Sequence, residues 1–111
     1  LVYDDTQPRN VSEEIARDPN FLVVDGGIVR ISTIHNTMDI GLPTDSDMYA
    51  CQAEAWLLSQ EQRFKNFALG TNIIEQAKEM QIIAEKYNIP LAPFRNFGEL
   101  LTDEDFKRYR G

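Results

Sequence analysis

Apolar positions fall in two short unbroken runs near the start of the chain and at helical spacing later. Leu1-Val2-Tyr3 ends on Asp4, and Phe21-Leu22-Val23-Val24 ends on Asp25. Short continuous apolar runs closed by polar residues suit strands covered on both faces, the pattern of a parallel sheet. Between them, Asp5 to Arg9 reads as a loop. Asn10 or Ser12 can cap a short helix through about Arg17, with Glu13 and Glu14 favoured in its first turn by the helix dipole. Asp18-Pro19-Asn20 stops it. This strand–helix–strand order predicts a right-handed parallel crossover unit. Gly26 and Gly27 follow Asp25 directly, where glycines permit positive φ and close approach of a backbone or ligand. Ile28 to Ile31 suits a further short strand, and Ser32 to Asp47 a long loop.

Helical spacing takes over from Met48. One of Thr44, Asp45, Ser46 and Asp47 is expected to cap a helix running to Leu69, with Gly70 as its stop. Asn72 and Glu75 have capping-box spacing for a second helix. Its buried stripe is predicted at Ile73, Ala77, Met80, Ala84 and Tyr87, and Asn88-Ile89-Pro90 closes it. Leu91 to Phe94 is extended, with Pro93 confining it to a sheet edge or to no sheet. Thr102 and Asp105 frame a last short helix through Tyr109. The expected class is α/β: the end of a parallel sheet over residues 1–31, a loop at the site over 32–47, and a helical C-terminal region over 48–111.

The chain of 111 residues fits one small domain, with 42% hydrophobic residues for a modest core. Eighteen acidic against eleven basic residues give a net charge of −7. That balance argues against nucleic acid and anionic membrane surfaces as partners. No apolar run approaches a membrane span, and the first residues lack the basic, then apolar, pattern of a secretion signal. Because Leu1-Val2-Tyr3 already reads as a strand, the expectation is the C-terminal part of a longer protein. One cysteine cannot form an internal disulfide, which points to a reducing cytoplasm. With one cysteine and one histidine, a zinc site would need carboxylates and is disfavoured.

That cysteine, Cys51, carries the main candidate chemistry. A thiol in the first turns of a helix lies near the positive end of the dipole, which favours the nucleophilic thiolate. Glu54 follows three residues on, along the same side. The competing reading is a small buried hydrophobe, the usual fate of free cysteine. No G-x-G-x-x-G, P-loop, H-E-x-x-H or G-x-S-x-G motif occurs, and His35 lies in a polar loop.

Several segments together carry a resemblance. They are Asp5-Thr6-Gln7-Pro8-Arg9-Asn10-Val11-Ser12, Val24-Asp25-Gly26-Gly27-Ile28-Val29, and Ala50-Cys51-x-Ala53-Glu54, followed by Arg63-Phe64-x-Asn66-Phe67-x-Leu69-Gly70. In that order they resemble the C-terminal portion of the long-chain acyl-[acyl-carrier-protein] reductases and their relatives labelled predicted amino-acid dehydrogenases. The resemblance implies a Rossmann-type nucleotide-binding domain whose glycine-rich phosphate loop lies upstream of Leu1. It implies that Cys51 accepts the acyl group from acyl-carrier protein or acyl-CoA, and that hydride from NADPH or NADH releases an aldehyde. It further implies that Gly26 and Gly27 let the nicotinamide approach, and that Glu54 exchanges protons or anchors the helix start. A homo-oligomer is compatible with it. Two rival readings are an amino-acid or hydroxy-acid (shikimate-type) dehydrogenase with a structural Cys51, and a non-catalytic binding or regulatory module.

Overall fold

A computed structural model describes residues 1–71 and 73–110. The fold is mixed α/β. Ten short elements follow in order: β1 (Val2–Asp4), α1 (Glu13–Arg17), β2 (Val23–Asp25), β3 (Ile28–Arg30), β4 (Asp47–Tyr49), α2 (Ala50–Gln60), α3 (Ile74–Lys86), β5 (Arg95–Asn96), β6 (Glu99–Leu100) and α4 (Asp103–Arg110). The described strands pair as three two-stranded ladders.

β1 and β2 are parallel, as the two apolar runs predict, in the register Val2↔Val23, Tyr3↔Val24 and Asp4↔Asp25. Leu22, Val23 and Val24 are all buried, so β2 is covered on both faces. α1 crosses between the strands with Ser12 as its cap, the Oγ accepting from the Ile15 N–H at 3.3 Å.

β3 and β4 are antiparallel. Here the structure differs from the sequence expectation: Asp47, Met48 and Tyr49 are strand, not cap and first turn. Arg30 and Asp47 are register partners, and the Arg30 guanidinium grips the buried Asp47 carboxylate at 2.9 and 3.3 Å. That half-buried pair and the ladder hold the chain extended up to Tyr49. Tyr49 therefore becomes the N-cap residue of α2, with no side-chain cap bond. On the other side of β3, Val29 bridges Leu91, placing the proline-flanked segment at an edge as expected.

α2 also ends earlier than its composition suggests. Gln62 adopts a φ of 55°, its N–H bonds to the Ser59 carbonyl, and the Arg63 N–H reaches back to Leu58. This is a Schellman closure made without glycine, so Gly70 is not the stop. Asn88 closes α3 in the same way, through bonds to Glu85 and from Ile89 to Ala84. The Asn72–Glu75 capping box lies outside the described residues. Ile31, Ala53, Leu57, Ile83 and Ile89 form the buried core between α2, α3 and β3, with Met80, Ala84 and Tyr87 packed against it. Ile73 and Ala77, expected on the buried stripe, are exposed.

The segment after Phe94 adds a hairpin to the expected helical region. Phe97 and Gly98, with φ of 48° and 82°, form a two-residue turn between β5 and β6. α4 follows with the reciprocal cap read from Thr102 and Asp105. The Thr102 N–H donates to Asp105 at 2.8 Å, and the Asp105 N–H to Thr102 Oγ1 at 3.3 Å. No helix among the described residues is long and apolar enough to cross a membrane.

Candidate functional site

The parallel strands β1 and β2 end side by side, and the chain builds two cavities around their C-terminal ends. That is where open α/β sheets present ligands. The first cavity, of about 340 Å³, is lined by Asp5, Gln7, Gly27, Tyr49, Ala50 and Cys51. The second, of about 440 Å³, includes Gln7, Arg9, Asp25, Gly26, Pro43 and Phe97 in its walls. Gln7 is common to both.

Cys51 is the second residue of α2, and it is exposed. It is not the buried hydrophobe that free cysteine usually becomes. No acidic residue stands in the first turn of α2, and no side chain caps it. The start of the helix thus keeps free N–H groups beside the thiol. Its position is fixed from β2: the Ala50 N–H donates to the Gly27 carbonyl at 2.7 Å.

Gly27 has a φ of 68°, a region that favours glycine, and its N–H donates to Tyr3 Oη at 2.9 Å. The pair Gly26-Gly27 therefore ties the end of β1 to the start of α2. Gly26 needs its missing side chain for another reason. A Cβ there would stand 2.3 Å from the Tyr3 ring. The open face of Gly26 is filled by Tyr3, while the residue still borders the larger cavity. Glu54 lies further along α2, outside the lining of either cavity, and has no hydrogen-bond or ion-pair partner among the described residues. The structure thus brings Cys51 and Gly27 together, sets Gly26 in the adjoining cavity, and leaves Glu54 apart.

Carboxylates at strand ends organise both cavities. Asp4 accepts from Thr6 Oγ1 at 2.6 Å, from the Asn10 and Val11 N–H groups at 2.9 Å each, and from the Thr6 N–H at 3.2 Å. The Thr6 hydroxyl first, then the Val11 amide, hold its carboxyl below the usual 3.8. These bonds fold residues 5–11 over the strand ends and set Gln7 between the cavities. The Gln7–Pro8 peptide is cis.

Asp25 accepts from Arg9 Nε and Nη2 at 3.2 and 3.3 Å, and from the Phe97 and Gly98 N–H groups at 3.2 and 3.0 Å. Its bonding to Asp25 raises the Arg9 pKa, and the guanidinium stacks 4.6 Å from the Phe97 ring centre. The long loop is tied down by the Tyr49 hydroxyl, which donates to the Ile40 carbonyl at 3.2 Å. His35 lies in that loop, 3.1 Å from Asp45 and exposed, apart from the thiol cavity.

Asp4, Asp5, Gln7, Arg9, Asp25, Tyr49 and Phe97 have no site role in the sequence pattern. One signal pointed to two of them: an acid directly after each buried apolar run, at Asp4 and at Asp25.

No family model matches the chain, and no solved structure matches it. Among characterised proteins, the aminotransferase PigE of Serratia sp. (strain ATCC 39006) is 27% identical over 112 residues, a match covering 92% of this chain and 13% of that protein. The chain spans about an eighth of the length of this relative.

Proposed function

We propose that this chain is the thiol-bearing C-terminal part of a Rossmann-type, nicotinamide-dependent oxidoreductase. It reduces an acyl thioester, carried on acyl-carrier protein or coenzyme A, to an aldehyde. One observation carries the reading: an exposed Cys51 stands in the first turn of an uncapped helix, in a cavity formed where two parallel strands end. Covalent capture by the thiol keeps the carbonyl electrophilic and divides the reduction into two easier steps. The exposure of Cys51 disfavours the rival in which it is structural.

The reduced dinucleotide, NADPH or NADH, supplies the hydride. The larger cavity, with Arg9, Gly26 and Phe97 in its walls, is of a size for a small ligand and would hold the nicotinamide end. These residues contain no glycine-rich turn leading into a helix, so the pyrophosphate is held by another part of the polypeptide. The single cysteine suits a cytoplasmic setting.

The aminotransferase relative fits this reading through its chemistry. A match of 112 residues that forms 13% of a protein implies a length of roughly 860 residues, enough for several domains. The matched part need not be the part that transfers amino groups. An aldehyde is itself an amino acceptor, so a thioester reductase upstream of a transaminase makes a coherent pair. Pyridoxal phosphate is held by a lysine, and neither cavity at the strand ends is lined by one.

The test is acylation without cofactor. The protein is incubated with octanoyl-coenzyme A and its intact mass measured. Wild type gains one octanoyl group, mapped by peptide sequencing to Cys51, and Cys51→Ala gains none. Absence of the adduct in folded wild-type protein overturns the reading.

A further inference from the structure

We propose that Gln7 is a catalytic residue that donates a hydrogen bond to the developing oxyanion; the inference rests on the acyl-thioester reading above. In the first step Cys51 Sγ attacks the thioester carbon. The bond to the carrier sulfur breaks, and the carrier leaves as a thiol with the proton that Cys51 gives up. In the second, a reduced nicotinamide dinucleotide would supply a hydride to the same carbon and be oxidised. The bond to Cys51 Sγ then breaks, releasing the aldehyde, and the thiolate takes a proton from solvent to restore the thiol. Both steps pass through a tetrahedral carbon bearing a negatively charged oxygen, which needs N–H donors held in place beforehand.

Several donors around the Cys51 cavity are already engaged. The Gly27 N–H is taken by Tyr3, and the Ala50 N–H by the Gly27 carbonyl. The Tyr49 hydroxyl is committed to Ile40. The carboxylate of Asp5 accepts and does not donate. Among the side chains lining it, the amide of Gln7 is the N–H donor left without a partner, beside backbone N–H groups such as that of Cys51 near the uncapped start of α2. Gln7 is exposed, and its side chain has no partner among the described residues.

Its placement adds a second reason. The reacting carbon must touch the thiol on one side and the hydride donor on the other. Gln7 is the wall shared by the thiol cavity and the cavity assigned to the nicotinamide. A donor there faces the carbonyl oxygen in both steps. Its position is set by Asp4, which gathers the Thr6, Asn10 and Val11 amides on either side of it in the chain.

The experiment compares two reactions of Cys51 in wild type, Gln7→Met and Gln7→Ala. Acylation by octanoyl-coenzyme A forms an oxyanion, whereas alkylation by iodoacetamide does not. The expected result is an acylation rate lower by about 10²–10³-fold in both variants, the usual effect of losing one such donor, with an unchanged alkylation rate. Circular dichroism checks that the fold persists. Variants that acylate as fast as wild type overturn the role of Gln7. Equal losses in both reactions also overturn it, since Gln7 would then only shape access to the thiol. A wild type that never acylates overturns the thioester reading itself, a result distinct from either.

Discussion

Asp4 and Asp25 are register partners at the C-terminal end of the β1–β2 ladder, and each carboxylate fastens a different piece of chain over that end. Asp4 holds the loop of residues 5–11 through its own amides. Asp25 holds the β5–β6 hairpin, more than seventy residues away in sequence, through the Phe97 and Gly98 amides. Two like charges tolerate this closeness because each is surrounded by donors.

Acid stability should report on Asp4. Its folded pKa lies below 3.8, chiefly through the Thr6 hydroxyl and then the Val11 amide. A lowered carboxyl pKa adds stability that is fully present above the unfolded value and is lost as pH falls through the folded one. Glu61 and Asp105 act in the same direction, so the informative comparison is wild type against Asp4→Asn. Thermal melts between pH 7 and pH 2 should show the variant less stable at neutral pH, with the gap narrowing below pH 4. A gap independent of pH would remove the charge of Asp4 from the account.

Removing Asp25 should free the hairpin. Asp25→Ala leaves the Phe97 and Gly98 amides and the Arg9 guanidinium without their acceptor, at a cost of about 2–4 kcal/mol. Arg9→Ala should cost less, about 1 kcal/mol, because Asp25 keeps its two backbone donors and Arg9 is partly solvated. Urea unfolding gives the order of the two. Equal costs would mean that the ion pair, not the hairpin amides, carries the site.

What could be read in advance was local. α1 follows from Ser12 and the acids after it, α4 from Thr102 and Asp105, and β1 and β2 from unbroken apolar runs. The misreadings depend on partners distant in sequence or on rare backbone states. Met48 and Tyr49 look like the start of a helix, and only pairing with β3 makes them strand. The β5–β6 hairpin has no sequence signature because two-residue strands show no alternation and Phe97 is an unusual residue at positive φ. At the site, Cys51 and Gly27 were legible from helix position and strand end. Asp5 and Gln7 come from one loop and Tyr49 from β4, more than forty residues on, and nothing in their spacing announces that they meet.

The end of α2 offers a stabilising change. Gln62 occupies the left-handed position of a Schellman closure, where a Cβ is unfavourable by roughly 1 kcal/mol. Gln62→Gly should therefore raise stability by about 0.5–1 kcal/mol, despite its added freedom in the unfolded chain. Asn88→Gly should gain less, because asparagine tolerates this conformation better. Denaturant midpoints decide it. A loss at Gln62→Gly would mean that the exposed side chain makes contacts worth more than the backbone strain.

The chain on its own should self-associate. Its accessible surface is 8066 Å² for 12.7 kDa, against about 6,200 Å² for a compact monomer of that mass. Its radius of gyration is 15.6 Å, against about 13 Å for a compact domain of this length. The excess of roughly 1,800 Å² exceeds the surface that one partner loses in a standard interface. Part of it lies at β1, where Leu1 and Tyr3 are exposed beside a parallel ladder of two strands, and part at Phe64, Leu69 and Ile74. Parallel sheets are otherwise covered, and an open edge templates pairing with another chain. The charge of −7 opposes association, so added salt should promote it. Light scattering over a concentration series in low and high salt should show mass rising above 12.7 kDa, more steeply in high salt. A monomer at every concentration would show that this surface is stable in water and waits for no partner.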